Sequence, residues 1–340
     1  MNWRTPQPAQ PQLVVLPGLP TTTGVDRVRQ VIATVTEQPN ITLLQQMCQE
    51  HFYEPGKMVR ARLALAVGEA YDLGRDWLAP WGAAVELVHN ATLVHDDIQD
   101  GDEVRRGQAT TWVVHGENQA INLGDHLLMA ATQAIDFVDC SPERKWFLSR
   151  CLSRRSCATV GGQVLDLSLS PDSEWSWDAY LRVVTGKTGH LLALPVEGAL
   201  ILAGFSPEEA LAVADLFLEV GVLYQLQDDV LDIFGDKQRD ISACDLYEGK
   251  VSALVIADGI LHPQHVPELK ALLCAPREET DRALVDETVR RFKEDGALDV
   301  VLQRMHSIRS AFLAHQWGQM DGVAQDLMNA IQKPIHGVWK

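Results

Sequence analysis

The chain has 340 residues, 46% hydrophobic and 22% charged, with a formal net charge of −17. That length buries a sizeable core, whereas the acidity excludes a broad basic face for nucleic acid or for an anionic membrane. An anionic substrate would need a local cationic patch or a bound metal to override the field of the whole chain.

Taken in chain order, residues 1–23 open with MNWRTPQPAQPQLVVLPGLP. No basic region precedes an apolar stretch there, so the segment reads as a Pro-rich flexible arm and not as a signal peptide. From 24 to 340 the pattern is that of one all-α domain, a helical bundle. Apolar residues recur at three- and four-residue spacing through ARLALAVGEAYDLG, WGAAVELVHNATLVHDD, LGDHLLMAATQAIDFV and EEALAVADLFLEVGVLYQLQDDVLDIFG. Several of these are apolar nearly all round, as helices inside a large bundle are. Breaks fall at Pro55-Gly56, Gly101, Gly107, Ser141-Pro142, Gly204 to Pro207 and the polar stretch 235–249. No run of 18 or more apolar residues suggests a membrane span. Six cysteines, at 48, 140, 151, 157, 244 and 274, form no CxxC pair. They suit reduced thiols in a cytoplasmic protein better than a disulfide framework or a zinc ribbon.

One pattern occurs twice. Asp96, Asp97 and Asp100 form DDIQD, and Asp228, Asp229 and Asp232 form DDVLD, each near the end of a long apolar helical pattern. Positions i and i+4 share a helix face, so Asp96 converges with Asp100 and Asp228 with Asp232. Each like-charged pair costs an isolated helix about 0.2–0.5 kcal/mol, and a helix C-terminus is the wrong end for anions. A cost repeated in one chain points to a compensating cation. Oxygen ligands without His or Cys suit Mg²⁺, which binds a few carboxylates together with substrate phosphates. A rival metal pattern, Glu86 and His89 as ExxH, occurs once where a di-iron bundle needs two, and it fails on that count. Cations lie near the acids: Lys57 and Arg60 in PGKMVR, Arg105 and Arg106 directly after the first cluster, Lys187 in GKTGH and Lys250 in EGKVS. Arg presents a planar fork to phosphate oxygens and Lys a point charge. Together they suit a site for more than one diphosphate.

Over roughly residues 45–260 the chain resembles the trans-isoprenyl diphosphate synthases, the polyprenyl synthetase family. ELVHNATLVHDDIQDGDEVRRG is similar to that family's first aspartate-rich motif and YQLQDDVLDIFGD to its second. PGKMVRARL, GQATTWVVHGENQAINLGD, GGQVLDL and Lys187-Thr188 fall in the family's order. The resemblance implies a helical bundle around a deep cavity, usually a homodimer, that condenses isopentenyl diphosphate with an allylic prenyl diphosphate using three Mg²⁺. It implies that Asp96 and Asp100, with Asp97 in the same motif, bind two metals from one side. Asp228, helped by Asp229 and Asp232, would bind the third from the other. Arg105, Lys187 and Lys250 would grip the allylic diphosphate, with Gln225 nearby and Thr188 supplying a dipole. Gly56, Lys57, Arg60, His89 and Arg106 would form the isopentenyl diphosphate site.

The sequence departs from that pattern in three places. Met58 and Ala61 stand where the family often has Arg and Pro; Lys57 and Arg60 remain. Asp240 occupies a frequently basic position in the loop after the second motif. Ala91 stands five residues before Asp96, where short-chain members commonly place an aromatic floor. At 1.5 Å per residue Ala91 lies about 7.5 Å along the axis from Asp96 and Val88 about 12 Å. A growing tail would pass Ala91 and meet Leu87, Val88 or the LGDHLLMAA segment, giving a product of C20 or longer. His336 reads as a surface residue. Two other functions are weighed: a terpene cyclase of the same fold, against which Lys57, Arg60, His89 and Arg106 count, and a regulatory subunit, which would be expected to have lost an acid cluster.

Overall fold

The computed structural model describes residues 24–54, 56–235 and 243–315. The N-terminal arm, Asp240 and His336 lie outside the described residues. The four long periodic segments of the sequence are all helical, and the described residues hold one short hairpin besides helices and turns. In order, the helices are α1 (Gly24–Val35), α2 (Thr42–His51), α3 (Val59–Glu69) and α4 (Arg75–Asp100). The strands β1 (Val104–Arg105) and β2 (Gln108–Ala109) follow, then α5 (Thr111–His115), α6 (Glu117–Asp136), α7 (Pro142–Ser168) and α8 (Trp177–Val184). A π-helical turn, Thr185–Gly189, leads into α9 (His190–Leu202) and α10 (Pro207–Phe234). Five shorter elements complete the order: α11 (Cys244–Tyr247), α12 (Ala253–Leu261), α13 (Val266–Cys274), α14 (Arg282–Glu294) and α15 (Ala297–Ala314).

The chain divides into two compact units, each discontinuous in sequence. One holds residues 1–156 and 194–214, the other 157–193 and 215–340. The boundaries of the units fall within α7, α9 and α10.

In the first unit α4 is the central element. Leu78, Trp81, Ala83, Ala84, Val85, Leu87, Val88 and Ala91 are all buried, the all-round apolar character expected of an internal helix. On α6 the buried residues Leu123, Leu127, Ala130, Ala131, Ala134 and Ile135 are small or branched, and small residues allow two helices to come close. Gly198 on α9 lets the Trp81 ring lie where a Cβ would be 2.0 Å from it. The indole N–H of Trp81 donates to the Pro195 carbonyl at 3.1 Å. The helix α4 ends as its sequence demands: Gly101 takes the left-handed conformation (φ 70°), and Asp102 N–H donates back to the Asp97 carbonyl at 2.9 Å.

In the second unit, buried residues of α10 (Phe217, Val220, Leu223, Leu226, Val230), of α12 and of α15 form the core. Phe217 and Phe312 meet edge to face at 5.2 Å. The π-turn is seated by glycine pairs. A Cβ on Gly162 would lie 2.1 Å from the Lys187 nitrogen, and one on Gly221 would lie 2.4 Å from the Gly189 Cα. Only glycine permits backbones that close.

Candidate active site

In the first unit, the end of α4 carries the first acid cluster, and its three aspartates have different surroundings. Asp97 is buried, Asp96 is half-buried and Asp100 is exposed. Arg105 donates Nε–H to Asp97 Oδ1 at 2.5 Å and reaches Asp102 Oδ2 at 3.3 Å. Burial pushes the Asp97 carboxyl up to about 6, against the pull of Arg105.

The hairpin after α4 determines where the second arginine points. Strands β1 and β2 pair Val104 with Ala109 and Arg105 with Gln108, leaving Arg106-Gly107 as a two-residue turn. Both turn residues have positive φ, 54° and 76°, the signature of a type I′ hairpin. A left-handed arginine is a strained choice. It turns the guanidinium back to the upstream segment, where Nη1 donates to the Glu54 carbonyl at 2.7 Å. A Cβ on Gly56 (φ 68°) would lie 2.7 Å from the Arg106 guanidinium carbon. Sequence reasoning grouped Gly56 and Arg106 in one expected site, and the structure has them in contact. It did not foresee the hairpin, whose Arg-Gly turn lacks the usual Asn-Gly signal.

Around this contact lie the other expected anion ligands. Arg60 and Arg106 both act electrostatically on His89, whose imidazole is held well below its ordinary pKa by burial and then by these cations. Among the described residues the buried His89 Nδ1 has no hydrogen-bond partner. Lys57 is exposed. Glu86, the acid of the ExxH pattern, accepts the Ala61 N–H at 2.9 Å at the start of α3; burial raises its pKa. It therefore serves as a helix cap. Met58, one of the departures, is buried and left-handed (φ 49°) where α3 begins. A cavity of about 290 Å³ is lined by His51, Glu54, Asp97, Arg105, Arg106 and neighbouring residues. His51, which the sequence reading missed, bonds Asn90 Oδ1 at 3.1 Å, and burial holds it down at about 4.

The second unit carries the second cluster on α10. Asp228 is half-buried, while Asp229 and Asp232 are buried. Asp229 accepts three hydrogen bonds: from Tyr180 Oη at 2.8 Å, from Gln225 Nε2 at 3.0 Å and from Ala253 N–H at 2.8 Å. Asp232 accepts Asp245 N–H at 2.9 Å. A buried carboxylate needs donors, and for Asp229 the protein supplies them. Thr188 Oγ1 donates to Gln225 Oε1 at 3.2 Å, which links the two expected dipoles. Lys187 pairs with Asp166 of GGQVLDL at 2.7 Å, and Lys250 with Glu248 at 3.0 Å. Tyr180, Asp166 and Asp245 were not singled out from sequence. The Gly-Lys-Thr-Gly spacing around the π-turn was the available signal, because π-bulges concentrate at functional sites.

Among the described residues no group of three or more His, Cys, Asp and Glu side chains gathers as a metal centre. The residues fit a hard divalent cation through donor chemistry: Asp96 and Asp100 stand one turn apart at a solvent-reached helix end. Such a pair leaves room for the water and substrate oxygens that Mg²⁺ retains.

A polyprenyl synthetase family model matches residues 41–291. The chain belongs to the polyprenyl synthetase family. It is 33% identical over 236 residues to a short chain isoprenyl diphosphate synthase of Methanothermobacter thermautotrophicus, covering 68% of this chain and 70% of that one. A geranylgeranyl diphosphate synthase of Methanosarcina mazei is 34% identical over 203 residues, 59% of this chain and 63% of the relative. A polyprenyl synthase of Caulobacter crescentus, solved in complex with calcium and isoprenyl diphosphate, superposes with a TM-score of 0.78 at 25% identity. That match covers 92% of this chain and 95% of that structure. The all-α isoprenyl synthase fold expected from the motifs is the fold observed.

Proposed function

We propose that this polyprenyl synthetase is a metal-dependent trans-prenyltransferase that adds isopentenyl diphosphate to an allylic diphosphate, giving an all-trans prenyl diphosphate of C20 or longer. The observation that carries the reading is the cationic cluster beside the first acid motif. Arg106 is turned back by a strained hairpin onto Gly56, with Arg60 and the buried, neutral His89 acting on one another nearby. A cyclase or a purely regulatory chain has no use for a second diphosphate site of that kind.

Gly56, Lys57, Arg60, His89 and Arg106 bind isopentenyl diphosphate in this reading; His89 contributes an N–H without adding a buried charge. Lys187 and Lys250 bind the allylic diphosphate by exchanging Asp166 and Glu248 for phosphate oxygens, and Arg105 binds it while keeping Asp97. Asp96 and Asp100 would hold two Mg²⁺, and Asp228, helped by Asp229 and Asp232, a third. Bound divalent ions supply the charge neutralisation that lets diphosphate depart as the allylic C–O bond ionises. The isopentenyl double bond attacks the allylic cation, and the proton leaves to the released diphosphate. The buried apolar faces of α4 and α6 exclude water that would quench the cation. Leu87, Val88 and Ala91, all buried on α4, set chain length. The active form is a homodimer in the cytoplasm; among the described residues no helix is long and apolar enough to cross a membrane.

The test is chromatography of products from labelled isopentenyl diphosphate with C5, C10 and C15 allylic starters and Mg²⁺. A linear prenyl diphosphate of at least C20 is expected. Cyclic hydrocarbon formed from allylic diphosphate alone, or turnover that requires a different partner chain, would overturn the proposal.

A further inference from the structure

In the second unit, four elements converge on one buried carboxylate. Tyr180 lies on α8, immediately before the π-turn that bears Lys187 and Thr188, and its hydroxyl donates to Asp229 Oδ2 at 2.8 Å. The same oxygen accepts the Ala253 N–H at 2.8 Å, so Asp229 caps α12 from another helix. The other oxygen accepts Gln225 Nε2, and Gln225 in turn accepts from Thr188 in the π-turn. Tyr180 is 3% exposed and Asp229 4%. The Trp177 ring backs the phenol edge-on at 5.9 Å.

The segment carrying Lys250 is tied at both ends to the same aspartate motif. Asp245 N–H donates to Asp232, Lys250 N–H donates to the Asp245 carbonyl, and Ala253 N–H donates to Asp229. Lys187 and Lys250 therefore sit on two segments whose common anchor is Asp229. Removing the Tyr180 hydroxyl leaves every backbone bond, every charge and the Thr188–Gln225 link in place, whereas removing the Gln225 amide breaks that link.

We propose that Tyr180 is a positioning residue for the allylic diphosphate: through Asp229 it sets the spacing between the Lys187–Thr188 turn and the Lys250 segment. The inference rests on the prenyl-transfer reading above for the identity of the ligand, but the mechanical coupling does not. A buried charge-assisted hydrogen bond is worth more than a neutral one. With one donor gone, the carboxylate no longer holds α12 and the π-turn in one register.

The experiment compares the full-length wild type with Tyr180→Phe. Hydrogen exchange of residues 185–189 and 250–256 is expected to quicken about tenfold, with α14 unchanged. The dissociation constant of a non-ionising allylic thiolodiphosphate, measured by calorimetry with Mg²⁺, is expected to rise about tenfold while isopentenyl diphosphate binds as before. Wild-type exchange in both segments, or equal weakening of both ligands, would overturn the proposal. A wild type that makes no prenyl product counts against the catalytic reading alone, because the exchange comparison still decides the role of Tyr180. Should the Phe variant not fold, Gln225→Met removes another donor to Asp229 together with the link to Thr188. It is expected to quicken exchange at 185–189 more than at 250–256, and unchanged exchange at 185–189 sinks the proposal.

Discussion

Two adjacent glycines on α7 offer a matched pair of substitutions. A Cβ added at Gly162 would lie 2.1 Å from the Lys187 nitrogen and 2.3 Å from the Gly186 carbonyl carbon, both backbone atoms, whereas one added at Gly161 meets nothing within 4 Å. Ala for Gly inside a helix is worth about 0.5–1 kcal/mol, so Gly161→Ala is expected to stabilise slightly. At Gly162 the same gain is opposed by overpacking, which typically costs about 1–3 kcal/mol. To reach an ordinary contact of 3.4 Å from 2.1 Å, α7 and the π-turn must part by about 1.3 Å. Asp166, four residues on along the same helix, is the partner of Lys187, so the movement displaces Lys187 directly. Misplacement of a positioning group by about 1 Å can cost roughly a hundredfold in rate. Shared between two segments, a tenfold or greater loss in kcat/KM for the allylic substrate is expected for Gly162→Ala, with Gly161→Ala at the wild-type value. Urea unfolding and initial-rate kinetics on both variants check this. Two variants of equal stability and equal kcat/KM would refute the close backbone approach from which the argument starts.

Glu197 is buried between Arg154 and the fully buried Arg155; Glu197→Ala removes the carboxylate that accepts from both guanidiniums and is expected to cost about 3–5 kcal/mol by urea unfolding. The double variant Glu197→Leu with Arg155→Leu should recover much of that loss. Burial holds His51 at about 4 against about 6.5 in an unfolded chain. The unfolded chain therefore binds more protons across that window, and stability falls as pH drops from 6.5 to 4. His51→Gln is expected to flatten the slope of urea midpoint against pH in that range, and an unaltered slope would show that His51 does not contribute. Ala91 is fully buried on α4; Ala91→Phe is expected to shorten the main product at a stability cost of about 1–3 kcal/mol, read by chromatography of the prenyl alcohols.

What could be read from sequence was whatever repeats along a helix. The apolar stripe of WGAAVELVHNATLVHDD carries α4 to its end at Asp100, and Gly101 stops it in the left-handed conformation. The two DDxxD spacings likewise fixed which carboxylates share a face. The parts that escaped are made by contacts between segments distant in sequence. Nothing in Arg105-Arg106-Gly107 announces a type I′ turn, because arginine there is strained and holds only with Glu54 and Gly56 behind it. Tyr180 carries no local signal of its role, because the partner of its hydroxyl, Asp229, lies 49 residues on. Composition alone also cannot say which of two neighbouring aspartates turns inward; here Asp97 and Asp229 are buried while Asp96 and Asp228 are half-buried. A helix rotates about 100° per residue, so adjacent acids cannot share one face.

The net charge of −17 bears on how such a chain holds anions. The cations assigned to the allylic diphosphate are paired with acids of their own unit: Arg105 with Asp97 and Asp102, Lys187 with Asp166, Lys250 with Glu248. The lysine pairs are partly exposed, Lys187 at 27% and Lys250 at 44% of their side chains, and such pairs are worth little in water, about 0–1 kcal/mol. Exchanging their carboxylates for phosphate oxygens is therefore cheap, and it releases acids near an incoming anion. The Arg105 pair is different, because its partner Asp97 is only 5% exposed. Taking Arg105 away would leave a buried carboxylate whose pKa burial already raises to about 6. Arg105 therefore gains phosphate without giving up Asp97, its planar fork serving both, whereas the two lysines change partners. Arg105→Lys removes that fork, and it should weaken allylic binding more than Lys187→Arg does; the reverse order in calorimetric titration would break this division of labour.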